Sequence, residues 1–276
     1  AGTGSAGAGG DGGPAGAATL DAPGAVAVDA TGNLYIADTF NDRVRVVAAG
    51  TNVISTLAGT GEHSDADVGR DDVAANTVKL GWPSGLALDA AGNLFIADQH
   101  NNVVRVVNLT GRSISRVAGN AQHSDEDPRG DDGPATAAPL GFPIGVTVDA
   151  AGDLYIADMH NNAIRRVAAP LSPGAVITTP VGTGEHSFGG DGGPGWAAAL
   201  DYPSSVAIDS SRNLILADWH NQRIRRAAPG TTPSGPAITR NGVVNGASFL
   251  PVPPNRVAPG SIVSIFGRRL APGAAS

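Results

Sequence analysis

Leu34-Tyr35-Ile36-Ala37-Asp38-Thr39-Phe40-Asn41-Asp42-Arg43-Val44-Arg45 decides how this chain is read. The stretch returns as Leu94 to Arg105, Leu154 to Arg165 and Leu214 to Arg225. Its Ala-Asp-x-x-Asn centre places Asp38, Asp98, Asp158 and Asp218 at one spacing, with Asn41, Asn101, Asn161 and Asn221 three residues further on. Each copy reads as a strand, a tight polar turn and a second strand, because apolar residues alternate on either side of a short polar break.

The flanks supply two more strands per copy. Gly24 to Val28 alternates at period two, and Asp29 to Asn33 carries the Asp-first, Gly-fourth chemistry of a type I turn. Val53 to Leu57 reads as the outer strand. The copies centre on 23–59, 83–119, 143–182 and 203–228. The last lacks an outer strand in this reading, since Pro229 to Pro236 is rich in Pro and Gly. At its first turn Arg212 replaces glycine, which implies a left-handed residue carrying a side chain. Small residues after Pro14 imply one helical turn. Four-stranded antiparallel units at a fixed period read as an all-β β-propeller, whose blades bury their faces on one another. Tight hairpins disfavour the competing parallel β-helix.

The pattern Pro-x-Gly-Val-Ala-Val-Asp-x-x-Gly-Asn-Leu-Tyr-Ile-Ala-Asp-x-x-Asn-x-Arg-Val-Arg resembles the NHL repeat, over Pro23 to Arg45, Pro83 to Arg105, Pro143 to Arg165 and Pro203 to Arg225. The Gly-Asp-Gly-Gly-Pro loops are similar to a long-loop subtype of exported bacterial proteins. The resemblance implies a ring of five or six blades, of which four copies are present. Residues 1–228 are thus expected to form the propeller and 229–237 a Pro/Gly linker. Residues 238–276 resemble the opening of an immunoglobulin-like module. Residues 1–14 already match the interior of a repeat, so the chain reads as a piece of something longer.

Composition narrows the function. A formal charge of -7 argues against sequence-independent binding to nucleic acid or anionic membrane, and no apolar run approaches a membrane span. The chain has no cysteine, which excludes disulfides and thiolate metal sites. Neither Gly-x-Ser-x-Gly nor a P-loop occurs.

The recurring Asp38/Asn41, Asp98/Asn101, Asp158/Asn161 and Asp218/Asn221 pairs are expected to be structural turn motifs, with Asn accepting a positive φ. Arg45, Arg105, Arg165 and Arg225 are expected to bond backbone or those carboxylates between blades, and Asp11 and Asp191 to brace glycine turns. The six histidines are the candidate binding residues. His100, His160 and His220 sit in second turns, where the first copy has Phe40. His63, His123 and His186 sit in interblade loops, where the first copy has Ala6. Topology brings that turn and that loop out on one face, so all six should line one rim.

No metal site is assigned. Zinc on histidines and calcium on the loops with Asp65, Asp67, Asp71, Asp72, Asp125, Asp127, Asp131 and Asp132 are the cations the residue types would allow. The leading function is a non-catalytic propeller in an exported bacterial protein, extracellular, periplasmic or on the cell surface, binding a protein or glycan partner at that rim. The alternative is a lyase or lactonase type of enzyme with a His/Asp-bound metal near the axis.

Overall fold

In a computed structural model, residues 1–64, 70–124 and 130–228 are described, together with the backbone of 237–238 and 244–245. The first blade is β1 (Pro23–Val28), β2 (Leu34–Asp38), β3 (Arg43–Val47) and β4 (Ile54–Ala58), paired antiparallel in that order. The second adds a short edge strand β5 (Val73–Ala74) outside β6 (Pro83–Leu88), β7 (Asn93–Asp98), β8 (Val103–Asn108) and β9 (Ser113–Ala118). The third is β10 (Pro143–Val148), β11 (Leu154–Asp158), β12 (Ala163–Val167) and β13 (Ile177–Val181). The fourth is β14 (Pro203–Ile208), β15 (Leu214–Asp218) and β16 (Arg223–Ala228). Here the structure departs from expectation, because β17 (Ala237–Ile238) and β18 (Val244–Asn245) both pair antiparallel with β16 at the outer position. The rest of the expected C-terminal module lies outside the described residues.

The chain forms four blades of one propeller, held by apolar faces that meet between neighbours. Tyr35, Ala37, Val44 and Leu57 of the first blade pack on Leu86, Leu94, Ile96 and Val107 of the second. Phe95, Ala97 and Val104 then meet Leu154, Ile156 and Val167, and Ala157, Ile164 and Val181 meet Val206, Leu214 and Leu216. Burying a Leu or Ile side chain contributes about 1.5–3 kcal/mol, so each interface outweighs what one blade gains alone. The far face of the first blade, with Ile36, Val47 and Ile54, is covered by Ala15, Ala18 and Leu20. Ile215, Ala217 and Ile224 of the fourth blade are only half-buried, although their counterparts Tyr35, Ala37 and Val44 are buried.

The first three incoming loops visit the outer edge of their blades before turning to the axis. Pro14 bridges Val53, β5 pairs with β9, and Pro134 bridges Val176. A single 3-10 turn follows in every copy, at Ala15–Ala17, Ala75–Thr77, Ala135–Ala137 and Gly195–Ala197, as the small residues imply. At the opposite end Asp29 caps the first turn through Thr31, Asn33 and the Tyr35 hydroxyl. Burial works against its charge, but those bonds hold its carboxyl down to about 2. Arg212 does adopt the left-handed conformation, φ 65°, where Gly32, Gly92 and Gly152 lie at 88°, 83° and 87°.

The inner strands β1, β6, β10 and β14 run side by side around the axis, with Thr39 donating to Pro83 O at 2.8 Å and Ser84 to Ile144 O at 3.0 Å. That approach requires glycine, because a Cβ on Gly85 would lie 2.4 Å from Ile144 O. Gly85→Ala is therefore expected to destabilise the propeller by about 1–3 kcal/mol through overpacking, read as a lower urea midpoint. An unchanged midpoint would show that the inner strands are free to separate.

A ring-lined rim built on a buried aspartate–arginine clamp

The recurring aspartates are wholly buried acceptors. Asp38 takes hydrogen bonds from the Asp21 N–H at 2.7 Å, Asn41 Nδ2 at 2.9 Å and Arg45 at 3.3 Å. Asp98 takes them from Gly81 N–H, Asn101 and Arg105 at 2.7, 2.9 and 2.7 Å. Asp158 does so from Gly141 N–H, Asn161 and Arg165 at 2.7, 2.8 and 3.0 Å. Asp218 completes the set with Asp201 N–H, Asn221 and Arg225 at 2.8, 3.0 and 3.1 Å. All four aspartates and all four arginines have no exposed surface.

The arginines differ from expectation in one respect. They bond the carboxylate of their own blade, diagonally across to the neighbouring strand, rather than one across an interface. Their second partner is the glycine loop: Asp11 lies 2.6 Å from Arg45, Asp131 2.9 Å from Arg165 and Asp191 2.7 Å from Arg225. Asp11 and Asp191 thus brace their loops through a guanidinium. Asp71, at the corresponding place, accepts the Arg116 N–H at 2.6 Å, and Asp72 bonds Ser115. The acidic segments 65–67 and 125–127, part of the expected calcium loops, lie outside the described residues.

Burial pushes the Asp98, Asp158 and Asp218 carboxyls above the usual range, and the guanidiniums, asparagines and backbone N–H groups oppose it.

The clamp fixes the rim. Residue 21, 81, 141 or 201 gives its N–H to the aspartate and its carbonyl to the backbone N–H of Phe40, His100, His160 or His220, at 2.9–3.2 Å. The next residue, Ala22, Trp82, Phe142 or Tyr202, is left-handed, with φ between 44° and 52°. The positive φ expected at Asn41 and its counterparts falls instead one residue later, at Asp42, Asn102, Asn162 and Gln222, φ 49–54°. In three cases these two left-handed positions meet across blades: Asp42 accepts the Trp82 N–H, Asn102 the Phe142 N–H and Asn162 the Tyr202 N–H, at 2.8–2.9 Å.

All six histidines do lie on this rim, in one unbroken line of rings with aromatic residues that the sequence reading passed over. Phe40 meets Trp82 at 6.0 Å between centroids, and Trp82 meets His63 and His100 at 5.5 and 4.8 Å. His100 reaches Phe142 at 5.9 Å, Phe142 meets His123 and stacks on His160 at 4.5 Å, and His160 meets Tyr202 at 5.2 Å. Tyr202 touches His186 and His220, and Trp219 ends the line against His220 at 4.8 Å. His63 sits 3.0 Å from Asp42, and His186 and His220 share Asp201 at 3.3 and 3.6 Å. Phe40 is 59% and Trp219 44% exposed, so the line is open to solvent at both ends. Among the described residues no group of three or more His, Asp or Glu side chains converges as metal ligands would.

Fold and repeat together define an NHL-type β-propeller. The family model for the Teneurin NHL domain matches residues 4–228, and the chain belongs to that family. Mouse Teneurin-4 is 33% identical over 232 residues, covering 78% of this chain and 8% of that protein. Bovine NHL repeat-containing protein 2 is 30% identical over 234 residues, 80% of this chain and 30% of that protein. The chain therefore spans less than a third of the length of either relative. Among solved structures, a protein of unknown function from Bacteroides thetaiotaomicron matches with TM-score 0.54 at 21% identity, covering 74% of this chain and 46% of that one. An auxiliary nutrient binding protein from Bacteroides ovatus matches with TM-score 0.53 at 19% identity, over 76% and 48%. At these identities the two structures share the fold.

Arg105→Leu should cost about 3–5 kcal/mol, since it strands a buried carboxylate, and adding Asp98→Asn should cost less than the sum of the two. In the single variant Asp98 is raised further in the folded state. Its neutral form then stabilises at low pH and that help is lost as pH rises, so the deficit measured by denaturant unfolding should grow upward from the pH at which the parent's Asp98 ionises, itself above the usual carboxylate range. A deficit independent of pH would show that Asp98 is not the group left stranded.

Proposed function

We propose that this propeller is a non-catalytic scaffold that binds a protein or glycan partner through the ring-lined rim, as part of an exported bacterial protein acting outside the cytoplasm. The bacterial and exported parts rest on the Gly-Asp-Gly-Gly-Pro loops and their likeness to that long-loop subtype.

One observation carries the binding role. Ala22 has the same left-handed backbone as Trp82, Phe142 and Tyr202, so the fold does not need a ring at that position. A bulky residue there carries a conformational cost of about 1–2 kcal/mol, repeated in three blades. The three rings instead extend a solvent-facing line in which each imidazole is flanked by an aromatic face. Such a surface offers stacking area and hydrogen-bonding edges together, which suits amphipathic partners such as sugars or aromatic-bearing peptides. Among the acids that recur in every blade, Asp38, Asp98, Asp158 and Asp218 are buried in clamps rather than presented at the rim.

Trp82→Ala and Tyr202→Ala copy a residue the first blade already uses, so both should keep the parent circular dichroism spectrum. Binding to arrayed oligosaccharides and to a panel of immobilised extracellular protein domains should fall at least about tenfold in both, as for a buried aromatic anchor. A ligand from either set that binds parent and variants equally would place the binding surface elsewhere.

A further inference from the structure

His123 and His160 meet with ring centroids 5.1 Å apart and planes at 79°, which brings a nitrogen of each ring toward the other. Nε2 of His123 lies 3.4 Å from Nδ1 of His160. On its other side, His123 Nδ1 lies 3.2 Å from Asn102 Oδ1. That Asn102 atom is identified as oxygen by the Phe142 N–H it accepts at 2.9 Å. A proton is therefore required on His123 Nδ1, which turns the lone pair of Nε2 toward His160. His160 is fixed as well: Phe142 stacks on its ring with planes 12° apart, and its backbone N–H donates to Gly141 O at 2.9 Å. His123 is thus oriented from behind, as the outer partner of a metal-binding histidine orients its ligand, and His160 is held by the stacked ring of Phe142.

The separation lies beyond the ~2.7–3.2 Å of protein N–H···O hydrogen bonds. It matches two nitrogens on one tetrahedral ion, since two zinc–nitrogen bonds of about 2.05 Å at the tetrahedral angle place them about 3.3 Å apart. We infer that His123 and His160 form a chelating pair for Zn2+, each giving one nitrogen. A pair of imidazoles on a solvent-facing rim makes an exchangeable site, unlike the closed four-ligand sites that hold folds together. The His186 and His220 pair differs, because both Nδ1 atoms face the Asp201 carboxylate. His63 likewise turns its Nδ1 to Asp42.

The first blade shows how to remove the pair without harming the fold, since it carries Phe40 and Ala6 at the equivalent places. His160→Phe and His123→Ala should each weaken Zn2+ binding at least tenfold by isothermal titration, and His186→Ala should leave it unchanged. Co2+ bound to the parent protein should give the strong visible absorption of a four-coordinate ion, and that absorption should vanish in both variants. The inference is overturned if the parent shows no Zn2+ binding, or if His123→Ala and His160→Phe titrate like the parent. Neither readout depends on the rim having a macromolecular partner, so this test stands or falls apart from the binding role.

Discussion

A guanidinium with no exposed surface, held by the buried aspartate of its own blade and in three blades by a loop carboxylate as well, is the interaction on which this propeller turns. Taking an isolated ion pair out of water costs several kcal/mol per charge, and engaging its remaining donors and acceptors in hydrogen bonds offsets that cost. Here the engagement is spread over three separate segments of chain. Asp158 reads the second turn through Asn161 and the incoming loop through the Gly141 N–H, while Arg165 reads the glycine loop through Asp131. The buried charges therefore act as a fixture that sets where loop and turn emerge. Apolar faces bind blade to blade, and the clamp decides what those blades present.

The consequence at the rim follows from one backbone exchange. Because the residue after the clamped N–H is left-handed, its side chain is thrown outward beside the ring of the second turn. Whether that side chain is Ala22 or Trp82 is irrelevant to the clamp, which leaves the rim free to vary while the blade beneath stays the same. The histidines from the loops then complete a line that crosses blade boundaries. Constant scaffold and variable rim are thus separated within a few residues.

Much of this was legible in the sequence. Period-two alternation gave the strands, the fixed spacing of Asp38 and its counterparts gave the blades, and topology placed six imidazoles on one side. Three things were hidden. The left-handed residues are Asp42, Asn102, Asn162 and Gln222 rather than the asparagines before them, because the asparagine side chain is spent on the aspartate. Ala22, Trp82, Phe142 and Tyr202 precede a proline, a position that normally avoids helical conformations, so nothing local announced them. An aromatic residue recurring just before the repeated proline was the available signal, and it lay one residue outside the motif. The outer pairing of β16 with β17 and β18 was hidden by the Pro/Gly stretch, which reads as an end of the repeat although pairing resumes after it.

The central claim is that the buried pair holds the rim in place, blade by blade. Amide hydrogen exchange on an Arg165→Leu variant tests it most directly. If the account is right, the Gly141, Phe142 and His160 amides of the third blade lose protection, while those of Gly81, Trp82 and His100 in the second keep theirs. Equal loss in both blades, or none in the third, would contradict it, and the rim would then owe its shape to the ring packing itself.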